Sequence, residues 1–215
     1  MATSIVVVTG ANLGLGYWCA QGLVDSNKVG FVVMACRNIS LAEKAADSIA
    51  YASTNKFSRE NIIVLPEPCD LCDISSVRKF AAALKVWLSG RKIYALVNNA
   101  GIGGFTDYVK NALGHDKTFA TNHLGHFLLS ILLLPCITDR IINVGSGVHD
   151  PSIGSSFPDP ELGYPTNESE YNSRMLCGEP LIGENELTSG RRRYSRSKLC
   201  NVFFTNELAF RLSGE

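Results

Sequence analysis

The stretch Ile5–Gly16, which reads IVVVTGANLGLG, decides the fold of this 215-residue chain. Its leading aliphatic residues form a short run without alternation, as is typical of a strand buried on both faces of a parallel sheet. Glycines with the spacing G-x-x-x-G-x-G follow at once, where a helix is predicted to begin. Glycine permits a tight turn and a close approach of the backbone to a pyrophosphate, and the helix N-terminus attracts the same anion. The stretch therefore predicts a dinucleotide-binding loop formed by Gly10, Asn12, Gly14, Leu15 and Gly16.

The rest of the chain continues this alternation of strand and helix. Short apolar runs predict strands at Ser4–Thr9, Phe31–Cys36, Ile62–Leu65, Ile93–Val97 and Arg140–Val144. Longer amphipathic stretches predict helices at Gly14–Ser26, Ile39–Ala52, Ile74–Ser89, His115–Leu134 and Tyr194–Leu212. Strands and helices in this order join through right-handed crossovers. We therefore expect an α/β protein with a Rossmann-type doubly wound parallel sheet.

The length fits one domain over residues 1–215, because single α/β domains commonly run past about 200 residues. The segment 150–190 interrupts the alternation, since it is rich in Pro, Gly, Ser, Glu and Asn and has little periodicity. A loop of this length inside a compact domain is usually functional or mobile. It is predicted to be a long insertion before the last helix.

The charge balance excludes several classes of partner. Lys plus Arg and Asp plus Glu are each 20, so the formal net charge is zero and gives no bulk attraction to nucleic acid or to a membrane surface. The longest apolar run, Phe127–Leu134, is far shorter than the roughly 20 residues that span a bilayer. The N-terminus has no cationic segment followed by a cleavage site. We expect no nucleic-acid partner, no transmembrane segment and a cytoplasmic location, with an organelle left open.

Residues that could bind a metal do not form a ligand set. Cys69–Cys72 is a C-x-x-C segment, but no second pair accompanies it among the seven cysteines. His123 and His126 are three residues apart, and no third ligand is evident. The sequence therefore predicts no metal site, with these histidines in the core or on the surface.

The end of the second predicted strand indicates which dinucleotide is bound. NAD-binding folds usually place a carboxylate there, which accepts hydrogen bonds from the ribose hydroxyls. This chain has Cys36–Asn38 instead, and the guanidinium of Arg37 suits the 2′-phosphate of NADP. Further cofactor-binding residues are expected where the later strands end, at the binding edge of such sheets: they are Asp70, Leu71, Asn98, Ala100 and Gly101.

Four polar residues form a candidate catalytic site. Tyr194 and Lys198 are four residues apart on a predicted helix, so both project from one face, where the ammonium can stabilise a phenolate. Ser146 follows the fifth predicted strand, and its hydroxyl can donate to a substrate oxygen that gains negative charge. Asn122 lies in an otherwise apolar helix, where a buried amide needs partners. Tyr194 and Lys198 are also expected to contact the cofactor.

Together these residues resemble the short-chain dehydrogenase/reductase family, and the resemblance spans nearly the whole chain. The glycine loop, the Asn98–Gly101 segment and the four candidate catalytic residues match motifs of that family in the right order. Met34–Asn38, Thr121–Leu129 and Ser197–Asn201 are similar to its protochlorophyllide reductase and retinol dehydrogenase branch. The long step from the candidate serine to the candidate tyrosine is similar to the protochlorophyllide enzymes.

The resemblance implies hydride transfer between NADP(H) and a carbonyl, alcohol or polarised C=C bond of a small apolar substrate. It implies that Tyr194 donates the proton in the reductive direction while Ser146 holds the substrate oxygen. Lys198 would stabilise the tyrosinate and hydrogen-bond the nicotinamide ribose, and Asn122 would order a water in the proton relay. The family also implies a homodimer or homotetramer, assembled through the helices of Asn122 and Tyr194.

Three alternatives stay open on the sequence. One is reduction of a C=C bond in the manner of protochlorophyllide reductase, and another is a non-catalytic NADP-binding sensor or scaffold. The third is a truncated, inactive chain, because in the family a sixth strand follows the Tyr–Lys helix, whereas this sequence stops at Glu215. The sheet is accordingly expected to lack its last strand or strands, and the sequence does not name the substrate.

Overall fold

The computed structural model describes residues 4–53, 58–103, 108–153, 157–159, 161 and 165–214. The chain divides into two compact units. The first unit comprises Met1–Ala100 and Leu128–Val144, and the second comprises Gly101–Phe127 and Gly145–Glu215. Within the segment 150–190 that the sequence predicts to be a loop, residues 154–156, 160 and 162–164 lie outside the described residues.

The first unit is built on a parallel sheet. Its strands are β1 (Ile5–Thr9), β2 (Phe31–Ala35), β3 (Ile62–Ile63), β4 (Ile93–Asn98) and β5 (Ile137–Asn143). Their spatial order is β3-β2-β1-β4-β5, and every pairing is parallel. The order reverses between β1 and β4, which is the point where open α/β sheets bind their ligands, at the carboxyl ends of the strands. The predicted doubly wound sheet is confirmed.

Apolar side chains cover both faces of this sheet, and the strand β1 is therefore buried on both. Ile5 and Val7 belong to one core cluster, which includes the apolar residues of α3 (Ile74–Leu88). Val6 and Val8 belong to the other cluster, which includes those of α1 (Gly14–Ser26) and α2 (Ile39–Ala52). Successive strand residues point to opposite faces, so a run of four aliphatic residues serves two cores at once.

Two helices of the first unit, α2 and α3, begin at short polar side chains that cap them. Asn38 Oδ1 accepts a hydrogen bond of 2.9 Å from the amide of Leu41 at the start of α2. Asp73 Oδ1 accepts one of 2.8 Å from the amide of Ser75 at the start of α3. Such caps satisfy amides that have no partner inside the helix, which is why these helices begin where the sequence predicts.

Two strands differ from the prediction. β5 begins at Ile137 rather than at Arg140, because residues 138–140 are polar and exposed and so leave no apolar run in the sequence. Polar residues are tolerated in this strand because, among the residues that the structure describes, β5 pairs only with β4 and lies at the edge of the sheet. β3 is shorter than the predicted Ile62–Leu65, since only Ile62 and Ile63 pair with β2.

The second unit is helical, and its elements correct two predictions. The structure divides the single helix predicted at His115–Leu134 into α4 (Lys117–Phe119), a π-helical turn at Ala120–Leu124 and α5 (Gly125–Leu133). Of α5, only the first three residues belong to the second unit. The predicted 150–190 loop contains α6 (Glu168–Glu170), a second π turn at Tyr171–Leu176 and the start of α7 (Glu186–Ser213).

The last helix, α7, therefore begins at Glu186, eight residues before the predicted Tyr194. The side chain of Asn185 caps it by accepting a hydrogen bond of 2.9 Å from the amide of Thr188. Its first turns bury polar and charged side chains, so they lack the apolar periodicity on which sequence-based assignment depends.

Two of the buried arginines in α7 are paired with carboxylates of the same unit. Arg192 Nε donates to Glu184 Oε1 over 2.7 Å, and Arg193 Nε lies 3.1 Å from Asp116 Oδ2. Burial raises the pKa of Asp116, while its bond from the amide of Phe119 and the charge of Arg193 act in the opposite direction. A buried charge is tolerated when it is paired, so the Arg193–Asp116 pair holds α7 against α4, and the Arg192–Glu184 pair joins α7 to the segment that precedes it.

One described stretch, Lys117–Cys136, is long and apolar enough by length and composition to cross a membrane, with a mean hydropathy of 1.3. Of the 18-residue segment that meets this criterion, 44% is buried inside the protein. The core helix of a soluble protein passes the same test, so the stretch is weak evidence of a membrane span.

Candidate active site

The glycine loop of the first unit packs too tightly for side chains. A Cβ atom at Gly16 would lie 2.4 Å from Gly10 O and 2.4 Å from Asn99 Nδ2, distances at which atoms clash. Gly10 has a φ of +64°, and a Cβ there would lie 3.0 Å from the Cβ of Ala100. Only glycine fits at these two positions, so the backbone stays open to a ligand.

Hydrogen bonds that Thr9 accepts join the end of β1 to the segment after β4. Thr9 Oγ1 accepts from the backbone amides of Asn99 and Ala100, each over 2.9 Å. Asn99 Nδ2 in turn donates to the carbonyl of Thr9 over 2.9 Å. These bonds hold together the loops that follow β1 and β4 at the carboxyl edge of the sheet. From the sequence, cofactor residues are predicted in both of these loops.

The N-terminus of α1 is available to an anion. Leu13 precedes the helix, and its apolar side chain cannot cap the first amides. Leu15, one of the predicted binding residues, is 76% exposed in the first turn. The uncapped amides and the positive end of the helix dipole together suit a phosphate.

Cys36, which directly follows β2, contacts this loop in a way that the sequence analysis did not identify. The backbone amides of Ala11 and Asn12 hydrogen-bond its sulfur. Burial raises the pKa of the Cys36 thiol to about 11, although these two bonds oppose the shift. The thiol is therefore a neutral support beneath the loop and an unreactive one. A cysteine at the end of a buried strand gives no sequence signal for such a contact.

The remaining predicted cofactor residues of the first unit fall into two groups. Arg37 is exposed directly after β2, and Asp70 is half-buried, with its carboxylate accepting a bond from the amide of Cys72. Leu71 and Asn98 are buried. The side chain of Asn98 donates to Ser130 Oγ and Asn143 Oδ1, each over 2.8 Å, and Leu71 lies in the core. The side chains of the second group thus serve the fold rather than a ligand.

Three of the four predicted catalytic residues come together in the second unit. Lys198 Nζ lies 5.8 Å from the centroid of the Tyr194 ring, as expected for residues one turn apart on α7. A Cβ at Gly101 would lie 3.4 Å from Asn122 Oδ1 and 3.7 Å from Lys198 Nζ. The predicted residue Gly101 therefore lies between Asn122 and Lys198. Ser146 is half-buried and precedes the short turn Gly147–His149, which packs against α7.

The amide of Asn122 is held on three sides. Its Oδ1 accepts a bond of 2.8 Å from the amide of Ile102, and its Nδ2 donates over 3.0 Å to the carbonyl of the same residue. Nδ2 also donates to Ser197 Oγ over 3.1 Å. Asn122 is fully buried, so these partners satisfy an amide that would otherwise be costly.

Burial also sets the charge state of the neighbouring cations. The side chain of Lys198 is almost completely buried, and this burial lowers its pKa.

The histidines considered as metal ligands are held in other contacts: His123 Nδ1 lies 3.0 Å from Asn201 Oδ1, and His126 Nδ1 lies 3.1 Å from the carbonyl of Asn122. Within the described part of the chain, no group of three His, Cys, Asp or Glu could hold a metal ion.

Acid is expected to destabilise the protein through His126. Burial lowers the pKa of His126 to about 4, its bond to the Asn122 carbonyl opposes the shift, and the charge of Lys198 adds to it. Between the ordinary pKa of 6.5 and this value, the unfolded chain binds a proton that the folded chain does not, so stability falls as the pH falls. At pH 5 this loss is about 2 kcal/mol relative to pH 7.5.

Urea unfolding of wild type and His126→Gln at both pH values measures this effect, because the variant should lose about 2 kcal/mol less on acidification. The matched control, His149→Gln, makes the same change at a half-buried ring and should retain the wild-type loss. Equal acid losses in wild type and His126→Gln would refute the prediction.

Comparison with known proteins shows which family the chain resembles. A family model described as short chain dehydrogenase matches residues 4–155. Retinol dehydrogenase 11 from Homo sapiens is 35% identical over 215 residues, and the match covers 98% of this chain and 57% of that protein. The chain thus spans little more than half the length of the curated relatives it matches.

Solved structures share the fold. Salutaridine reductase from Papaver somniferum matches with a TM-score of 0.70 at 22% identity, over 98% of this chain and 83% of that one. An uncharacterised protein from Mycobacterium paratuberculosis matches with a TM-score of 0.64 at 31% identity, over 99% of this chain and 64% of that one.

Proposed function

This chain belongs to the short-chain dehydrogenase family, and we propose that it is an NADP(H)-dependent oxidoreductase of small apolar carbonyl compounds or alcohols. The observation that carries the proposal is the cluster of Tyr194, Lys198 and Asn122 in the second unit. A protein that only bound a dinucleotide would need neither a phenol nor a buried ammonium one helical turn away from it.

The glycine loop fits a nicotinamide dinucleotide. Gly10 and Gly16 leave no room for side chains, and the uncapped amides of α1 can receive the pyrophosphate. Arg37, exposed after β2, provides the cation for a 2′-phosphate, which is the basis for choosing NADP over NAD. The bound cofactor supplies or accepts the hydride.

The residues of the second unit provide the proton. In the reductive direction, the phenol of Tyr194 donates a proton to the substrate oxygen, while the hydroxyl of Ser146 donates a hydrogen bond to the same oxygen. The ammonium of Lys198 stabilises the tyrosinate that results. Burial lowers the pKa of Lys198, so its ammonium can more readily transfer a proton to the tyrosinate. Asn122 holds the Ile102 backbone beside these groups.

The class of substrate is inferred from a ring contact and from the relatives. The ring of Phe157 lies 6.0 Å from that of Tyr194, so an aromatic surface adjoins the proton donor. Retinol, which the name of the human relative gives as its substrate, is an apolar alcohol. We therefore propose an apolar aldehyde or the corresponding alcohol as substrate.

The experiment is to measure NADPH oxidation with retinal and with short aldehydes, in wild type and in Arg37→Asp. Wild type should oxidise NADPH with retinal and prefer NADPH to NADH, and Arg37→Asp should lower this preference by about tenfold or more, since a carboxylate repels the 2′-phosphate. The control Arg78→Asp changes an exposed arginine of α3 and should keep the preference. Tight NADPH binding without oxidation of any aldehyde would favour a non-catalytic sensor instead.

A further inference from the structure

The backbone carbonyl of Asn122 is held by two side chains. Asn201 Nδ2 donates to it over 3.1 Å, and His126 Nδ1 lies 3.1 Å from the same oxygen. Asn122 lies in the middle of the π turn Ala120–Leu124, where the amide of Gly125 bonds to the carbonyl of Ala120. The side-chain donors thus act within a turn whose hydrogen bonds differ from those of an α-helix.

The orientation of the Asn201 amide follows from its neighbours. A carbonyl oxygen can only accept hydrogen bonds, so the nitrogen of Asn201 must face Asn122. Its Oδ1 then faces His123 Nδ1 at 3.0 Å, and this histidine must carry its proton on Nδ1. Both ends of the Asn201 side chain are therefore committed to consecutive residues of the π turn.

Asn201 also belongs to the helix that carries the proposed proton donor. It is three residues after Lys198 on α7, so it lies near Lys198 on the helix surface, and its side chain is buried. Ser197, on the same helix, contacts the Asn122 side chain. α7 thus holds the Asn122 residue at two points: Ser197 at the side-chain amide and Asn201 at the backbone carbonyl.

We propose that Asn201, oriented by His123, is a positioning residue that fixes Asn122 relative to Lys198. It acts through Asn122, whose amide in turn holds both backbone groups of Ile102. If Asn201 were lost, the π turn would lose one of the two side-chain donors to its central carbonyl, and α7 would hold the Asn122 residue at one point, Ser197, instead of two. The role in catalysis rests on the proposed function, whereas the positioning itself does not.

The test compares Asn201→Leu with Asn206→Leu, which makes the same change at an exposed position of the same helix. Asn201→Leu removes both hydrogen bonds while keeping a side chain of similar size. The backbone amide of Ile102 should exchange with solvent about tenfold faster in Asn201→Leu, and at the wild-type rate in Asn206→Leu. The kcat of aldehyde reduction should fall about tenfold in Asn201→Leu, while the KM for NADPH should change much less, because we assign the phosphates of the cofactor to the glycine loop of the first unit.

Two further measurements keep the outcome decisive. Asn201→Asp keeps the acceptor for His123 but loses the donor to Asn122, so it should reproduce the faster Ile102 exchange even if the leucine variant fails to fold. In wild type, the side-chain amide protons of Asn201 should exchange much more slowly than those of exposed Asn206. Fast exchange of the wild-type Asn201 amide, or unchanged Ile102 exchange in a folded Asn201 variant, overturns the proposal. A wild-type protein that binds NADPH but reduces nothing would instead refute the proposed function, and the exchange data would still decide the positioning role.

Discussion

Tyr194→Phe should lower the kcat of NADPH-dependent aldehyde reduction by about a thousandfold, the effect expected from the loss of a positioned general acid. Phenylalanine keeps the ring that lies 6.0 Å from Phe157 and 5.8 Å from Lys198 Nζ, so the packing of α7 should survive. What is lost is the hydroxyl that donates the proton to the substrate oxygen. Single-turnover measurements at saturating NADPH isolate this step from cofactor binding.

The control is Tyr171→Phe, which removes a hydroxyl from a partly exposed tyrosine of the same unit. It should retain the wild-type rate. NADPH affinity should differ far less than the rate among the three proteins, because the cofactor's phosphates are assigned to the glycine loop. A wild-type rate in Tyr194→Phe would show that another group delivers the proton.

The second large effect is expected at Gly16. A Cβ there would lie 2.4 Å from a backbone oxygen of Gly10, which cannot move away as a flexible side chain could. Gly16→Ala should therefore displace the loop and weaken NADPH binding by about a hundredfold or more, which corresponds to about 2.7 kcal/mol. Isothermal titration with NADPH measures this directly.

Gly22→Ala is the matched control, because Gly22 is exposed on the same helix and a Cβ there would meet nothing within 4 Å. It should bind NADPH as wild type does and be slightly more stable, by about 0.5–1 kcal/mol, since alanine favours a helix over glycine. If Gly16→Ala, shown to be folded by circular dichroism, bound NADPH with wild-type affinity, the loop would not be the phosphate site.

The sheet was predictable because its signals are local. The run Ile5–Val8 serves two cores, so it had to be apolar throughout, and Asp73 marks the start of α3 by chemistry that acts within three residues. β5 was misplaced because an edge strand tolerates the polar residues 138–140. The start of α7 was missed because its buried arginines are neutralised by Glu184 and Asp116, partners that no local pattern reveals.

The site, like the sheet, was predictable only where its sequence signals are local. The proximity of Tyr194 to Lys198 is confirmed, since helical spacing alone brings them together. The contacts of Asn122 with Ile102, Ser197 and Asn201 join residues far apart in the chain, and no spacing rule contains them. The roles of the site residues, the choice of NADP and the state of assembly stay predictions.

The most direct test of the central claim is to trace the hydride itself. NADPH that carries deuterium at the transferred position of its nicotinamide ring is incubated with retinal and the protein, and the alcohol is analysed by mass spectrometry. The proposed function predicts one deuterium per molecule of retinol, on the carbon that was the aldehyde, and almost no product with Tyr194→Phe. Retinol without deuterium, or no alcohol while NADPH stays bound and unoxidised, would contradict it.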